Sequence, residues 1–219
     1  MLAKVTSCAL VGLEGATVQV EVDISPGLPS FTIVGLPDKA VQESRERVRA
    51  AIKNSGFPFP MKRLTVNLAP ADLPKEGPAY DLPIAIGLLN ATQPMAEDMR
   101  ASLFVGELSL DGKVCHVDGV LPMTMAARDS GHERIYVPAI DAPEAALMEG
   151  VNVIPVESLV QLVKHLQGEE NISPYQPDPS LLASKSPEYS IDFSHIRGQE
   201  HVKRALEVAA AGGHNVLVL

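Results

Sequence analysis

Residues 63–92, RLTVNLAPADLPKEGPAYDLPIAIGLLNAT, contain the most informative loop of the sequence, at residues 74–81. Residues 63–70 predict a strand, and the apolar residues 81–92 predict a helix that packs against a sheet. Between them, residues 74–78 place two prolines and a glycine within five positions, a composition typical of a fixed turn. This stretch therefore predicts a domain in which helices cover a sheet.

The preceding sequence predicts three strands and a helix. The strands are expected at residues 3–11, 16–24 and 30–34. Glycine-containing turns separate them, which favours an antiparallel start to the sheet. The Pro/Gly turn SPGLPS at residues 25–30 is expected to break the pairing. Residues 38–54 predict a helix, with Asp38 as its cap or first-turn acid and Gly56 as its stop signal.

The following sequence alternates between strand and helix patterns. Residues 103–119 predict a hairpin with Asp111-Gly112 at its turn. Further elements are expected as a helix at 120–131, a strand at 134–138, a short helix within 141–150, a strand at 151–156 and a helix at 158–167. This alternation predicts a parallel or mixed sheet with helices packed against it.

The composition is that of a soluble, folded protein whose core is aliphatic, since aromatic residues make up 4% and Trp is absent. Eighteen Lys and Arg against 27 Asp and Glu give a net charge of −9, which excludes a globally basic nucleic-acid binder. The charge is uneven, because residues 1–100 have a net charge of −1 and residues 101–219 have −8. An anionic partner is therefore expected on the first half.

The sequence predicts a cytoplasmic protein without metal. Two distant cysteines, Cys8 and Cys115, argue against a disulfide framework or a structural zinc site. His116 and Asp118 have no third partner in the sequence, so no metal ligand is assigned. The N-terminus lacks the layout of a signal peptide, and no apolar run is long enough to span a membrane.

The composition changes after residue 167. Residues 168–190 are rich in proline and polar side chains and predict a linker. Beyond it, a helix is expected from about Gln199 to Ala211, followed by a buried strand that begins at 215–219. The expected domains are therefore residues 1–167, a linker at 168–190, and at 191–219 the start of a further domain.

The loop at 74–81 and the hairpin GELSLDGKV resemble the proteolytic domain of the Lon family, whose serine nucleophile and lysine form a catalytic dyad. The resemblance implies an α+β fold of the ribosomal S5 domain 2-like type for residues 1–167. At the dyad positions this sequence has Ala79 and Leu121, which offer neither a nucleophile nor a base. No catalytic residue is therefore assigned, although a residual peptidase using Ser109 or Thr124 is a testable alternative.

The segment FSHIRGQEHVKRALEVAAAGGHNVLVL at 193–219 resembles the opening of magnesium-chelatase-type AAA+ ATPase modules. The resemblance implies that Ile196, Gly198 and Gln199 line the adenine pocket of a longer parent protein that uses ATP and Mg²⁺. The phosphate loop of that module is absent up to Leu219, so no cofactor is expected for this chain.

Two further segments, MLAKVTSCALVGLEG at the N-terminus and FTIVGLPDKAVQESRERVRAAI at 31–52, make the whole chain resemble ComM/YifB-type magnesium-chelatase-like AAA+ ATPases. The resemblance implies a hexameric ring that promotes branch migration of DNA during natural transformation. This chain is then expected to be a non-catalytic module that aids ring assembly or guides branched or single-stranded DNA.

A basic stretch at residues 35–63 provides the candidate DNA surface, with seven Lys and Arg against three acidic residues. The assigned residues are Arg45, Arg47, Arg49, Lys53, Lys62 and Arg63. An alternative is a solvated helix face with ion pairs such as Glu46–Arg49 and Lys39–Glu43. On that reading the module serves oligomerisation or protein interaction and has no DNA contact.

Overall fold

The computed structural model describes residues 1–93, 95–177 and 192–217. It divides into two compact units, Met1–Asp178 and Pro179–Leu219. The first unit contains the strands β1 Leu2–Val11, β2 Glu14–Ser25, β3 Ser30–Val34, β4 Arg63–Ala69, β5 Ser102–Phe104, β6 Glu107–Leu108, β7 Val114–Cys115, β8 Arg134–Pro138 and β9 Asn152–Val156. Seven of them form a mixed sheet in the order β3-β4-β2-β1-β5-β8-β9.

β1 and β2 form the centre of the sheet as an antiparallel hairpin, as the sequence predicts. Alternating residues of β2 face the core, and Val18, Val20 and Val22 are fully buried there. The third strand, β3, pairs parallel to β4 and not with β2, so the antiparallel pairing ends at the Pro/Gly turn, as the sequence predicts. The long helical connection between β3 and β4 makes this parallel pairing possible.

The described residues of the first unit form five α-helices: α1 Lys39–Asn54, α2 Asp81–Thr92, α3 Val120–Asp129, α4 Ala142–Ala145 and α5 Leu159–Leu166. The Asp38 side chain accepts a hydrogen bond from the backbone N–H of Val41, which confirms it as the cap of α1. A short hairpin of β6 Glu107–Leu108 and β7 Val114–Cys115 occupies the predicted hairpin region.

α2 is buried on nearly all sides, since it packs on β1, β2 and α1. Gly87 permits this close approach, because a Cβ at this position would lie 2.7 Å from Cγ2 of Val22. One apolar core lies under α1, α2 and α5, and a second lies around α3, α4 and the parallel strands. None of the described helices is long and apolar enough to cross a bilayer.

Part of the predicted linker packs onto the first unit. Ile172 is buried in the first core, and the Tyr175 backbone N–H donates to the carbonyl of Val153 at 2.8 Å. Residues 178–190 of that linker lie outside the described residues.

Within the second unit, α6 extends over Glu200–Gly212, close to the predicted helix. The strand predicted to start at residue 215 does not form over residues 215–217, where Leu217 is 82% exposed. Val218 and Leu219 lie outside the described residues. The described structure is a mixed, mostly parallel sheet covered by helices, which is consistent with the expected α+β class.

Candidate functional site

The loop between β4 and α2 is fixed to the start of α1. Lys75 donates its backbone N–H to the carbonyl of Leu36 at 3.2 Å and accepts from the N–H of Asp38 at 2.9 Å. The carboxylate of Asp38 also accepts from the backbone N–H of Gly77 at 3.2 Å. One carboxylate therefore caps a helix and positions the loop.

The loop then turns directly into α2. Gly77 has a φ of 79°, a left-handed conformation that favours glycine, and a 3₁₀ turn follows at Pro78–Tyr80. The Ala79 carbonyl accepts from the N–H of Gly106 at 3.0 Å, and the Leu82 N–H donates to the Gly106 carbonyl at 3.0 Å. These bonds leave Ala79 nearly buried, with 6% of its surface exposed.

A cavity of about 630 Å³, here called the loop cavity, opens beside this turn. Its lining comprises Cys8, Ala9, Leu10, Asp38, Glu76, Gly77, Pro78, Ala79, Tyr80, Glu107, His116, Val117, Asp118 and Met123. Ala79, at the Lon-like nucleophile position, therefore borders the cavity. Leu121, at the Lon-like lysine position, is not part of this lining, whereas Met123 from the same helix is.

His116 has a partner that the sequence did not reveal. Its Nδ1 lies 2.5 Å from Oδ1 of buried Asp141, and its Nε2 lies 3.3 Å from Oδ1 of Asp118. The other oxygen of Asp141 accepts from the backbone N–H of Val117 at 3.0 Å. The hydrogen bond to Asp141 raises the pKa of His116. Among the described residues, no group of three or more His, Cys, Asp and Glu side chains is arranged to hold a metal ion.

Arg47 occupies a different place from the other basic residues of α1. Its Nε donates to Oδ2 of Asp81 at 2.6 Å, and its Nη2 donates to Oδ1 at 3.1 Å. Burial raises the pKa of Asp81, and the Arg47 hydrogen bonds counteract part of that effect. The assignment of Arg47 to an open basic surface therefore disagrees with the structure, which pairs it with the start of α2.

Three other basic residues of α1 lie on a different flank from Arg47. Arg45, Arg49 and Lys53 are exposed and follow one another at four-residue spacing. Among the described residues, none of these three side chains forms an ion pair, and the suggested pairs Glu46–Arg49 and Lys39–Glu43 are not formed.

Residues outside α1 extend this flank. The Arg49 guanidinium lies 5.8 Å from the ring centroid of Phe59. Arg49, Glu46 and Lys62 line a shallow groove of about 80 Å³. Lys62 and Arg63 are also exposed at the start of β4. We call Arg45, Arg49, Lys53, Lys62 and Arg63 the basic face.

In the second unit, the residues assigned to an adenine pocket precede α6. Ile196 is 43% exposed, and Gly198 and Gln199 both have left-handed backbones, with φ of 73° and 60°. Gln199 lies at the cap position of α6. Their role with a nucleotide stays a prediction.

Comparison with known families accounts for both parts of the chain. The profile described as "Subunit ChlI of Mg-chelatase" matches residues 20–141, and "Magnesium chelatase, subunit ChlI" matches residues 192–219. The chain belongs to the magnesium-chelatase ChlI family. It is of the ComM/YifB type, as the sequence predicts.

Individual relatives support this assignment. "Competence protein ComM" from Haemophilus influenzae is 44% identical over 221 residues, covering 100% of this chain and 43% of the relative. "Uncharacterized protein YifB" from Escherichia coli is 42% identical over 219 residues, covering 100% of this chain and 42% of the relative. A "Lon protease" from Lachnoclostridium phytofermentans is 24% identical over 173 residues, covering 74% of this chain and 21% of the relative. The chain thus spans less than half the length of the ComM and YifB relatives.

Proposed function

We propose that this chain is a non-catalytic, cytoplasmic module of a magnesium-chelatase-like ATPase and that its basic face guides DNA. The observation that carries the proposal is the unpaired row of Arg45, Arg49 and Lys53 among the described residues. Cationic side chains without acidic partners are available to phosphate oxygens, which supply most of the affinity of non-specific DNA binding.

The positions of Arg45, Arg49 and Lys53 suit contact with the phosphate backbone of DNA rather than with its bases. A four-residue step along a helix advances about 6 Å, so the three side chains follow a line along α1. The ring of Phe59 lies under Arg49 and is itself half-buried. Sequence-independent guidance of a phosphate backbone is therefore the contact that we propose.

Several features support a non-catalytic role for the loop cavity. Ala79 has no hydroxyl group, and burial raises the pKa of the neighbouring Cys8 thiol to about 12, which keeps it protonated at neutral pH. Ser109 donates to Asp111, and Thr124 donates to the carbonyl of Val120 at 2.8 Å. Neither hydroxyl lines the cavity.

For the longer protein, we propose an ATPase ring, in hexameric form, that uses ATP and Mg²⁺ to drive branch migration of DNA. The family assignment and the name of the ComM relative support this proposal. Ile196, Gly198 and Gln199 are the residues of this chain that we expect near the adenine.

A second candidate function is self-association without DNA contact. The turn between β1 and β2 exposes Val11 and Leu13, which are 52% and 93% accessible. Leu13 and half-exposed Met125 border a groove of about 340 Å³ beside α3. An apolar surface of this kind is typical of protein contacts.

Fluorescence anisotropy with labelled forked DNA distinguishes the two functions. The 219-residue chain is compared with R45E/R49E/K53E and with a charge-matched control, R100E/K113E/K164E. We expect salt-sensitive binding that the first variant loses and the control retains. Absence of binding by the wild-type chain, or equal loss in both variants, contradicts DNA guidance, and a concentration-dependent mass in sedimentation then supports self-association.

A further inference from the structure

Residues 168–175, here called the strap, follow α5 and lie against the first unit. Gly168 begins the strap with a left-handed φ of 79°. Ile172 is buried in the first core, and the Tyr175 backbone N–H donates to the Val153 carbonyl on β9 at 2.8 Å. The strap is also the first part of the predicted linker, so its attachment decides how much of that linker is held against the first unit.

One hydrogen bond between the strap and α5 fixes the tautomer of His165. The backbone N–H of Ile172 donates to Nδ1 of His165 at 3.1 Å. Because a backbone N–H can only donate, Nδ1 is the acceptor and carries no proton. The proton of the neutral ring is therefore on Nε2, which lies 3.3 Å from the Tyr136 hydroxyl oxygen and 3.5 Å from Oε2 of Glu97.

The groups around Nε2 agree with this tautomer. The Tyr136 hydroxyl donates to Oε1 of Glu97 at 3.2 Å, which leaves its oxygen free to accept from Nε2–H. Burial raises the pKa of Tyr136, so its hydroxyl stays protonated and can donate. Arg134 on β8 forms an ion pair with the same Glu97 carboxylate. Donation therefore runs in one direction, from the strap through the imidazole and the phenol to the carboxylate.

The other charged groups near the imidazole permit a second proton on the ring. Glu97, Arg134, Glu169 and Glu170 line the same hollow as the imidazole. Arg134 is already paired with Glu97, and Glu170 is paired with Lys164 at 2.6 Å. Glu97 lies next to Nε2 and can stabilise an imidazolium ion, whose charge the acidic hollow also favours.

Protonation of His165 and attachment of the strap exclude each other. A protonated imidazole is a donor at both nitrogens, so Nδ1–H would face the N–H of Ile172 and their hydrogen bond would be lost. We propose that protonation of His165 releases the strap from the first unit. Release adds residues 168–175 to the linker and extends its reach by up to about 25 Å. The strap is then a pH-sensitive latch, and its action does not depend on DNA binding.

NMR spectroscopy of the ¹⁵N-labelled 219-residue chain at pH 8 and pH 5 tests the latch. Long-range ¹H–¹⁵N spectra should show the Nε2–H tautomer of His165 at pH 8. The heteronuclear NOEs of the Ile172 and Tyr175 amides should match those of β2 at pH 8 and fall to those of a flexible chain at pH 5. By linkage, the ratio of attached to released strap should fall by about tenfold or more over this range. An Nδ1–H tautomer at pH 8, unchanged strap NOEs, or an equal fall in β2 overturns the proposal.

Two variants of His165 separate its acceptor from its titration. In His165→Asn, the amide Oδ1 can accept from the Ile172 N–H in place of Nδ1 but does not titrate, so the strap should stay attached at both pH values. In His165→Phe, the ring has no acceptor, so the strap NOEs should already be low at pH 8. A fall at pH 5 in H165N equal to that of the wild type assigns the pH dependence to another group and overturns the role of His165. An attached strap in H165F at pH 8 contradicts the role of the hydrogen bond.

Discussion

The guanidinium of Arg47 and the carboxylate of Asp81 form a two-point ion pair, with Nε–Oδ2 and Nη2–Oδ1 distances of 2.6 Å and 3.1 Å. Asp81 is fully buried, and its Oδ2 also accepts from the backbone N–H of Leu108 at 3.2 Å. The pair joins α1 to the start of α2, directly after the turn at Ala79. It also removes Arg47 from the cations that are available to an external anion.

Stability should therefore depend on Arg47 far more than on Arg49. Arg47→Ala leaves a buried carboxylate without its cation, which costs about 3 kcal/mol of unfolding free energy. Arg49→Ala, the matched control on the exposed flank, should change it by less than about 1 kcal/mol. Urea denaturation followed by circular dichroism measures both. Equal losses would show that the pair does not fix α1 to α2.

Gly87→Ala should destabilise the sheet–helix contact. The added Cβ meets Cγ2 of Val22 at 2.7 Å, and such overpacking costs about 1–3 kcal/mol. Alanine at another glycine, such as Gly56, is not a suitable control, because Gly56 has a positive φ. The double variant G87A/V22A is the better test of the contact. We expect the double variant to lose less stability than the sum of the losses in the two single variants, as measured by thermal denaturation. Strict additivity would contradict direct contact.

The stability of the pair His116–Asp141 should depend on pH. The pKa of His116 is raised in the folded chain by Asp141, so its contribution is fully present below the unfolded value of 6.5. It is lost as the pH rises through the higher folded pKa. His116→Gln should therefore lower the melting temperature more at about pH 5.5 than at about pH 8.5.

His201→Gln, which removes an exposed imidazole on α6, serves as the control for that experiment. We expect its effect on the melting temperature of the first unit to be the same at both pH values. A pH-independent effect of His116→Gln would contradict the ionic character of its bond to Asp141.

Local patterns in the sequence were sufficient for many elements of the fold. The alternation in β2 and the capping position of Asp38 follow from neighbouring residues, and both predictions are confirmed. The parallel pairing of β3 with β4 depends on the path of α1 between them. That path is a tertiary property, so the order of strand patterns did not reveal it.

In the candidate site, too, features of one local segment could be predicted from the sequence, whereas contacts between distant segments could not. Four-residue spacing correctly grouped Arg45, Arg49 and Lys53, since it is a property of one helix. The sequence could not reveal that Arg47 is paired, because Asp81 is 34 positions away. Asp141, 25 positions from His116, was missed for the same reason. The resemblance to Lon singled out Ala79, but the cavity that Ala79 borders became visible only in the folded chain.

We propose that one flank of α1 contacts DNA and that the other does not. The most direct measurement is the dependence of the DNA association constant on salt concentration, for the 219-residue chain, R45Q/R49Q/K53Q and R47Q. Each lost phosphate contact reduces the magnitude of the slope of log Kobs against log [salt] by about 0.9. The slope of the triple variant should therefore be smaller in magnitude by about 3, and that of R47Q should equal the wild-type slope. Equal slopes for the wild type and the triple variant, or a reduced slope for R47Q alone, would contradict the claim.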